Sequence, residues 1–201
     1  MKNQFNKSFF WITYFLITFS YCQEKSRSNK SPNIIFIFSD DHATNAISAY
    51  GGLFRNLAPT PNIDRIANEG AILKNVLCTN AICGPSRAAI LTGNYSNLNG
   101  YYKNESGGKF DDSKWTFPQE FQKNGYKTAL FGKWHLGTEP VGFDTFKYHN
   151  ASGQQGNYWN PLYNDNGKNI KEKGYATNLS TDFALNWLGA TEMTDKPFFM
   201  V

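Results

Sequence analysis

Residues 33–42 limit what this chain can become more than any other stretch. Asn33-Ile34-Ile35-Phe36-Ile37-Phe38 runs straight into Ser39-Asp40-Asp41-His42. A continuous run of β-branched and aromatic residues without polar alternation predicts a strand buried on both faces, as in a parallel sheet. Acidic groups just past the carboxyl end of such a strand stand where α/β folds bind their ligands. Asp40 and Asp41 are adjacent hard oxygen donors, a chemistry suited to Ca²⁺ or Mg²⁺. Taken alone, the pair is as readily a solvated strand end.

Further along, Thr60 and Pro61 are placed to cap and open a helix with an apolar stripe of Ile63, Ile66 and Ala67 and a stop at Gly70. Ala71 to Leu77 reads as a second strand. A helix is predicted from about Pro85 to Gly93, and another from Thr116-Phe117-Pro118 to Gly125. Tyr126 to Phe131 follows as a strand that ends at Gly132-Lys133-Trp134-His135. Gly142 to Lys173 is rich in Gly, Asn, Tyr and Lys and reads as long surface loops. Thr181 to Leu188 resumes a helical period. The alternation of strands and helices predicts an α/β sandwich. Phe198-Phe199-Met200-Val201 reads as a strand just starting, with no partner for its edge or faces. The expectation is therefore of a truncated sequence.

Composition excludes several alternatives. Three cysteines in 201 residues cannot build a disulfide scaffold or a four-cysteine zinc site. Net charge is +4, and two of those charges, Lys2 and Lys7, lie in the first 22 residues, which contain no acid. The near-neutral remainder has no electrostatic footprint for nucleic acid. Lys2 and Lys7 precede an apolar run from Phe9 to Phe19, too short to span a bilayer, which needs about 20 residues. The pattern predicts an export signal over 1–22 and a polar tether over 23–31. Cys22 stands where a bacterial lipoprotein is cleaved and acylated, making it a candidate lipid anchor. The protein is then periplasmic, outer-membrane-anchored or extracellular.

The chemistry concentrates in two further segments. In Cys83-Gly84-Pro85-Ser86-Arg87, Pro85 suits a first helical turn, which sets Cys83 just ahead of that helix's amino end. Unpaired amides and the helix dipole there favour a thiolate or a bound oxyanion, and Arg87 adds a positive fork one turn later. Lys133 and His135 are one residue apart, so in an extended segment they face the same side. At the end of a strand they suit an anion site with a proton carrier. His42 has no such support and is read as structural or as a neighbour that supports the metal ligands; His149 is assigned no role.

Cys83-Gly84-Pro85-Ser86-Arg87 with Leu91-Thr92-Gly93 resembles the signature of the type I sulfatases. Gly125-Tyr126-Lys127-Thr128 with Gly132-Lys133-Trp134-His135 resembles that family's second motif, with Phe131 where a small or β-branched residue is usual. Pro32-Asn33-Ile34 to Asp40-Asp41 and Pro59-Thr60-Pro61-Asn62-Ile63-Asp64 are also similar. The resemblance covers about Ser31 to Val201. It implies an alkaline-phosphatase-like sandwich with a mixed, largely parallel sheet, of which residues 32–201 are the amino-terminal portion of the catalytic domain.

It further implies that Cys83 is converted by a formylglycine-generating enzyme to Cα-formylglycine. Asp40, Asp41 and modified position 83 would bind Ca²⁺ in preference to Mg²⁺, while Arg87 and Lys133 hold the sulfuryl oxygens. One hydroxyl of the hydrated aldehyde would attack sulfur and expel the sugar or aryl alcohol; the second would then lose its proton to His135, and C–O cleavage would release sulfate and regenerate the aldehyde. Two more metal ligands, a lysine and the acid for the leaving alcohol would lie beyond position 201. Gly153 to Pro161 resembles a loop of carbohydrate sulfatases, and Asn164 to Lys168 with Tyr175 to Asn178 look similar to N-acetylglucosamine-6-sulfatase and related polysaccharide branches. The function implied is sulfate release from a sulfated carbohydrate. A phosphonate or phosphate monoester hydrolase, or a non-catalytic carbohydrate-binding relative, are the alternatives.

Overall fold

The structure is a computed structural model that describes residues 31–104, 108–149, 156–191 and 194–201. The export signal, the tether through residue 30 and Cys22 lie outside the described residues, as does the start of the 153–161 loop. The elements below belong to the unit Pro32–Val201. Among the described residues, no helix is long and apolar enough to cross a membrane.

Strands β1 (Ile34–Ile35), β2 (Lys127–Lys133), β3 (Thr145–His149), β4 (Leu162–Asp165), β5 (Lys168–Lys171) and β6 (Phe198–Met200) form one sheet. Their order is β1-β6-β2-β3-β4-β5. The β1·β6, β6·β2 and β2·β3 pairs are parallel, and β4 and β5 are antiparallel additions. The helices are α1 (Pro61–Glu69), α2 (Cys83–Thr92), α3 (Ser96–Asn99), α4 (Phe117–Lys123) and α5 (Ala176–Thr191).

Successive residues of a strand point to opposite faces, and the two phenylalanines of β6 show what covers each. Phe199 meets Phe117 and Phe121 of α4, with ring centroids 5.4 and 4.6 Å away. Phe198 meets Trp187 of α5 at 5.7 Å. Helices therefore lie on both faces, as the α/β sandwich requires. The core gathers Ala88 and Leu91 of α2, Leu130 of β2, Phe199, and Tyr101, Phe110, Trp134, Leu136 and Phe143 from connecting segments. Burial of a side chain such as Phe199 stabilises the fold by about 1.5–3 kcal/mol.

Several expectations need correction. Phe198–Met200 is not an unpartnered edge: it sits between β1 and β2, and Phe199 and Met200 are buried. The nonlocal partner is 165 residues away, as Phe198 N–H donating to Asn33 Oδ1 illustrates. The 33–38 run is not buried on both faces; Ile35 and Ile37 are 49% and 80% exposed, because no described element covers their side of β1. Ala71 to Leu77 forms no strand, and Leu73, Val76 and Leu77 are exposed. Helix α1 forms as expected, yet Ile63 and Ile66 are exposed. Thr60 does not cap it by side chain; its hydroxyl joins a knot with Ser48 and Asp64 instead.

The 142–173 stretch holds three strands rather than loops alone. Asn166 and Gly167, at φ 47° and 87°, make the two-residue turn between β4 and β5. Glycine is needed there because a primed turn holds both residues in the left-handed region. Thr116 and Gln119 form a capping box at the start of α4.

Candidate active site

Three segments far apart in sequence converge at the carboxyl ends of β1 and β2. Asp40 follows β1, Arg87 stands one turn into α2, and Lys133 is the last residue of β2. Lys133 Nζ donates to Asp40 Oδ2 at 2.5 Å, and Arg87 Nη2 lies 3.7 Å from the same oxygen. Arg87 Nη1 donates to the backbone carbonyl of Lys133 at 2.7 Å. The guanidinium also lies over the ring of Phe38, 5.1 Å from its centroid. Two cations thus meet on one carboxylate oxygen, and Arg87 is fixed from three sides.

Burial costs a charged group its hydration, which lowers the Arg87 pKa, while Asp40 and Cys83 pull it back up. Arginine stays ionised through such a shift. Its Nε is buried with no partner among the described residues. That leaves a cationic donor without an acceptor, a group suited to binding an anion.

Cys83 is the first residue of α2, so the helix starts two residues before Pro85 and includes the cysteine. Residues four apart share a helix face, which turns Cys83 toward Arg87, and Cys83 is one of the two groups that raise the Arg87 pKa. Cys78 differs: it is exposed and its Sγ is spent on Asn80 O and the Ser86 hydroxyl, at 3.2 and 3.3 Å.

His135 does not share a face with Lys133 by simple alternation, because its φ is 58°. Asp41, at φ 53°, is also left-handed. Such conformations cost about 1–3 kcal/mol for non-glycine residues and collect at functional sites. Burial, then Lys133, then Arg87 lower the His135 pKa, against a smaller opposing pull from Asp40. The imidazole is therefore neutral, and able to accept a proton, at neutral pH. Its Nδ1 is buried and unpartnered among the described residues.

The two aspartates fit a hard divalent cation in kind but not in number. Ca²⁺ takes roughly six to eight oxygens, and no group of three or more His, Cys, Asp or Glu among the described residues could hold a metal. Asp40 and Asp41 can be part of such a site only with further ligands. His42 is exposed. His149 is buried with Nε2 2.9 Å from Asn157 O. Sequence reasoning missed Phe38, the platform under Arg87, although it lies two residues before Asp40. It also missed Asn104, whose side chain meets α2 at Gly84 and which no local pattern marks.

Residues 32–201 match the sulfatase family model. The chain belongs to the sulfatase family. It is 48% identical over 177 residues to the N-acetylglucosamine-6-O-sulfatase of Bacteroides thetaiotaomicron, covering 88% of this chain and 31% of that protein. Human N-acetylgalactosamine-6-sulfatase is 36% identical over 126 residues, 57% of this chain and 24% of that one. This sulfatase chain thus spans about a third or less of these relatives' length. A structure solved with its substrate D-glucosamine-2-N,6-O-disulfate superposes with a TM-score of 0.79 at 49% identity, over 85% of this chain and 33% of that one. The alkaline-phosphatase-like α/β architecture of sulfatases is therefore the fold of this chain.

Proposed function

We propose that the full-length protein is a sulfuric ester hydrolase that releases sulfate from a sulfated carbohydrate, with Cys83 converted to formylglycine. The observation that carries this is the convergence of Arg87 and Lys133 on one oxygen beside Cys83 at the start of α2. The 6-O-sulfatase relative and the sulfated glucosamine bound by the structural neighbour support a 6-O-sulfated glucosamine unit as the substrate class.

When present, formylglycine supplies a hydrated aldehyde as oxygen nucleophile, and a divalent cation, Ca²⁺ before Mg²⁺, supplies Lewis acidity. Asp40 and Asp41, with position 83, would hold that cation. Arg87 and Lys133, which converge beside position 83, bind the anionic sulfuryl oxygens. Donors fixed in advance in this way stabilise developing charge without reorganisation. His135, neutral at Nδ1 or Nε2, takes the proton that must leave before sulfate is expelled. We also infer an exported enzyme from residues 1–22, with Cys22 as a lipid-anchor candidate, and a formylglycine-generating enzyme as maturation partner.

The test is side-by-side turnover of matched sulfate and phosphate monoesters. The sulfate ester should be preferred in kcat/KM by at least about tenfold, which corresponds to roughly 1.4 kcal/mol of differential transition-state binding. Preference for phosphate would make the protein a phosphate or phosphonate hydrolase on the same fold. Absence of turnover on either ester would favour a non-catalytic relative.

A further inference from the structure

Helix α2 begins without a cap of its own. Its N-cap residue, Ile82, is extended and makes no side-chain capping bond. Pro85 has no N–H to satisfy, and Ser86 N–H donates to Ile82 O at 2.8 Å. Gly84 N–H donates instead to the side chain of Asn104, 3.1 Å to Oδ1 and 20 residues away in sequence. A backbone donor can face only the carbonyl oxygen of an amide side chain, so the orientation of Asn104 is fixed by this bond.

The fit around Gly84 is close. A Cβ at this buried position would lie 2.6 Å from Asn104 Oδ1, 2.7 Å from Tyr101 Cε1 and 3.0 Å from the carbonyl oxygen of His135. Tyr101 is a core residue, and its N–H donates to Asn99 Oδ1 at 2.8 Å, which anchors the segment leading to Asn104. The residue directly after Cys83 is therefore gripped by one side chain and packed against the backbone of His135. Uncapped first turns fray, and a frayed first turn here would move position 83 relative to Arg87 and Lys133.

We propose that Asn104 is a positioning residue, which caps α2 from a distance and so holds position 83 in register with the anion site. It acts through the Gly84 amide. The inference rests on the reading of position 83 as the reactive residue, but the cap itself can be tested separately.

The experiment compares wild type, Asn104→Ala and Asn104→Asp in the full-length protein at equal formylglycine occupancy. Amide exchange of the peptide spanning 83–87 should speed up at least about fivefold in Asn104→Ala, as expected when a local hydrogen bond is lost. Its kcat should fall roughly tenfold, since about 1 Å of misplacement can cost up to about 10²-fold. KM should stay within about twofold, the pattern of lost geometry rather than lost substrate binding. Asn104→Asp keeps an oxygen acceptor and should restore both the exchange protection and most of kcat. Unchanged exchange in Asn104→Ala would overturn the cap. A raised KM with unchanged kcat would make Asn104 a substrate contact and overturn the positioning role. If the wild type turns over no sulfate ester, the functional reading fails, while exchange still decides whether Asn104 caps the helix.

Discussion

Cys83→Ser in the full-length protein should release about one equivalent of alcohol and then stop. A serine hydroxyl can attack sulfur from the same place on α2, beside the same Arg87 and Lys133. It leaves a sulfate ester with no second hydroxyl on the same carbon, so C–O cleavage has no internal route. Steady-state sulfate release should fall by at least about 10³-fold, the scale of losing a covalent nucleophile. The corresponding change at Cys78 should leave turnover near wild type, because Cys78 is exposed and its Sγ is hydrogen-bonded to Asn80 O and the Ser86 hydroxyl. Loss of turnover in Cys78→Ser with retention in Cys83→Ser would reverse the assignment.

His135→Ala should slow turnover by about 10²–10⁴-fold, the usual contribution of a positioned acid or base. The loss should fall on release of sulfate from position 83 more than on its transfer there, and acid-quenched protein should carry the added mass of a sulfuryl group on that peptide. Unsulfated variant protein beside reacting wild type would place His135 earlier, in attack or binding. The pH dependence follows from the electrostatics. Burial and the neighbouring cations lower the His135 pKa below its ordinary 6.5. The base form therefore persists as pH falls through that value, and activity should drop only at lower pH. The His135→Ala variant should lose this acidic limb, and a limb that survives unchanged would belong to another group.

Much of the site was legible in the sequence because its chemistry sits in short contiguous motifs. Asp40 and Asp41 end an apolar run, Cys83 and Arg87 share one helical turn, and Lys133 closes a strand. What brings them together was not legible. Parallel strands are paired by nonlocal contacts, and neither the slot of β6 between β1 and β2 nor the Arg87 bond to the Lys133 carbonyl has a local signature. The β4–β5 hairpin was missed for a different reason. Asn166-Gly167 is a strong turn signal, but Lys-Asn-Ile-Lys in β5 is exposed throughout and carries no apolar alternation. The 33–38 run shows the limit of pattern reading, since hydrophobicity records that a face seeks cover without saying which element supplies it.

The central claim is that position 83 is a formylglycine in the mature protein, and peptide mass spectrometry tests it most directly. Protein made together with a formylglycine-generating enzyme should yield a peptide containing position 83 that is about 18 Da lighter than its encoded sequence, the change from –CH₂SH to –CHO. The peptide containing Cys78 should keep its encoded mass. An unmodified thiol at Cys83 throughout, in protein that still releases sulfate from a sulfated sugar, would contradict the account.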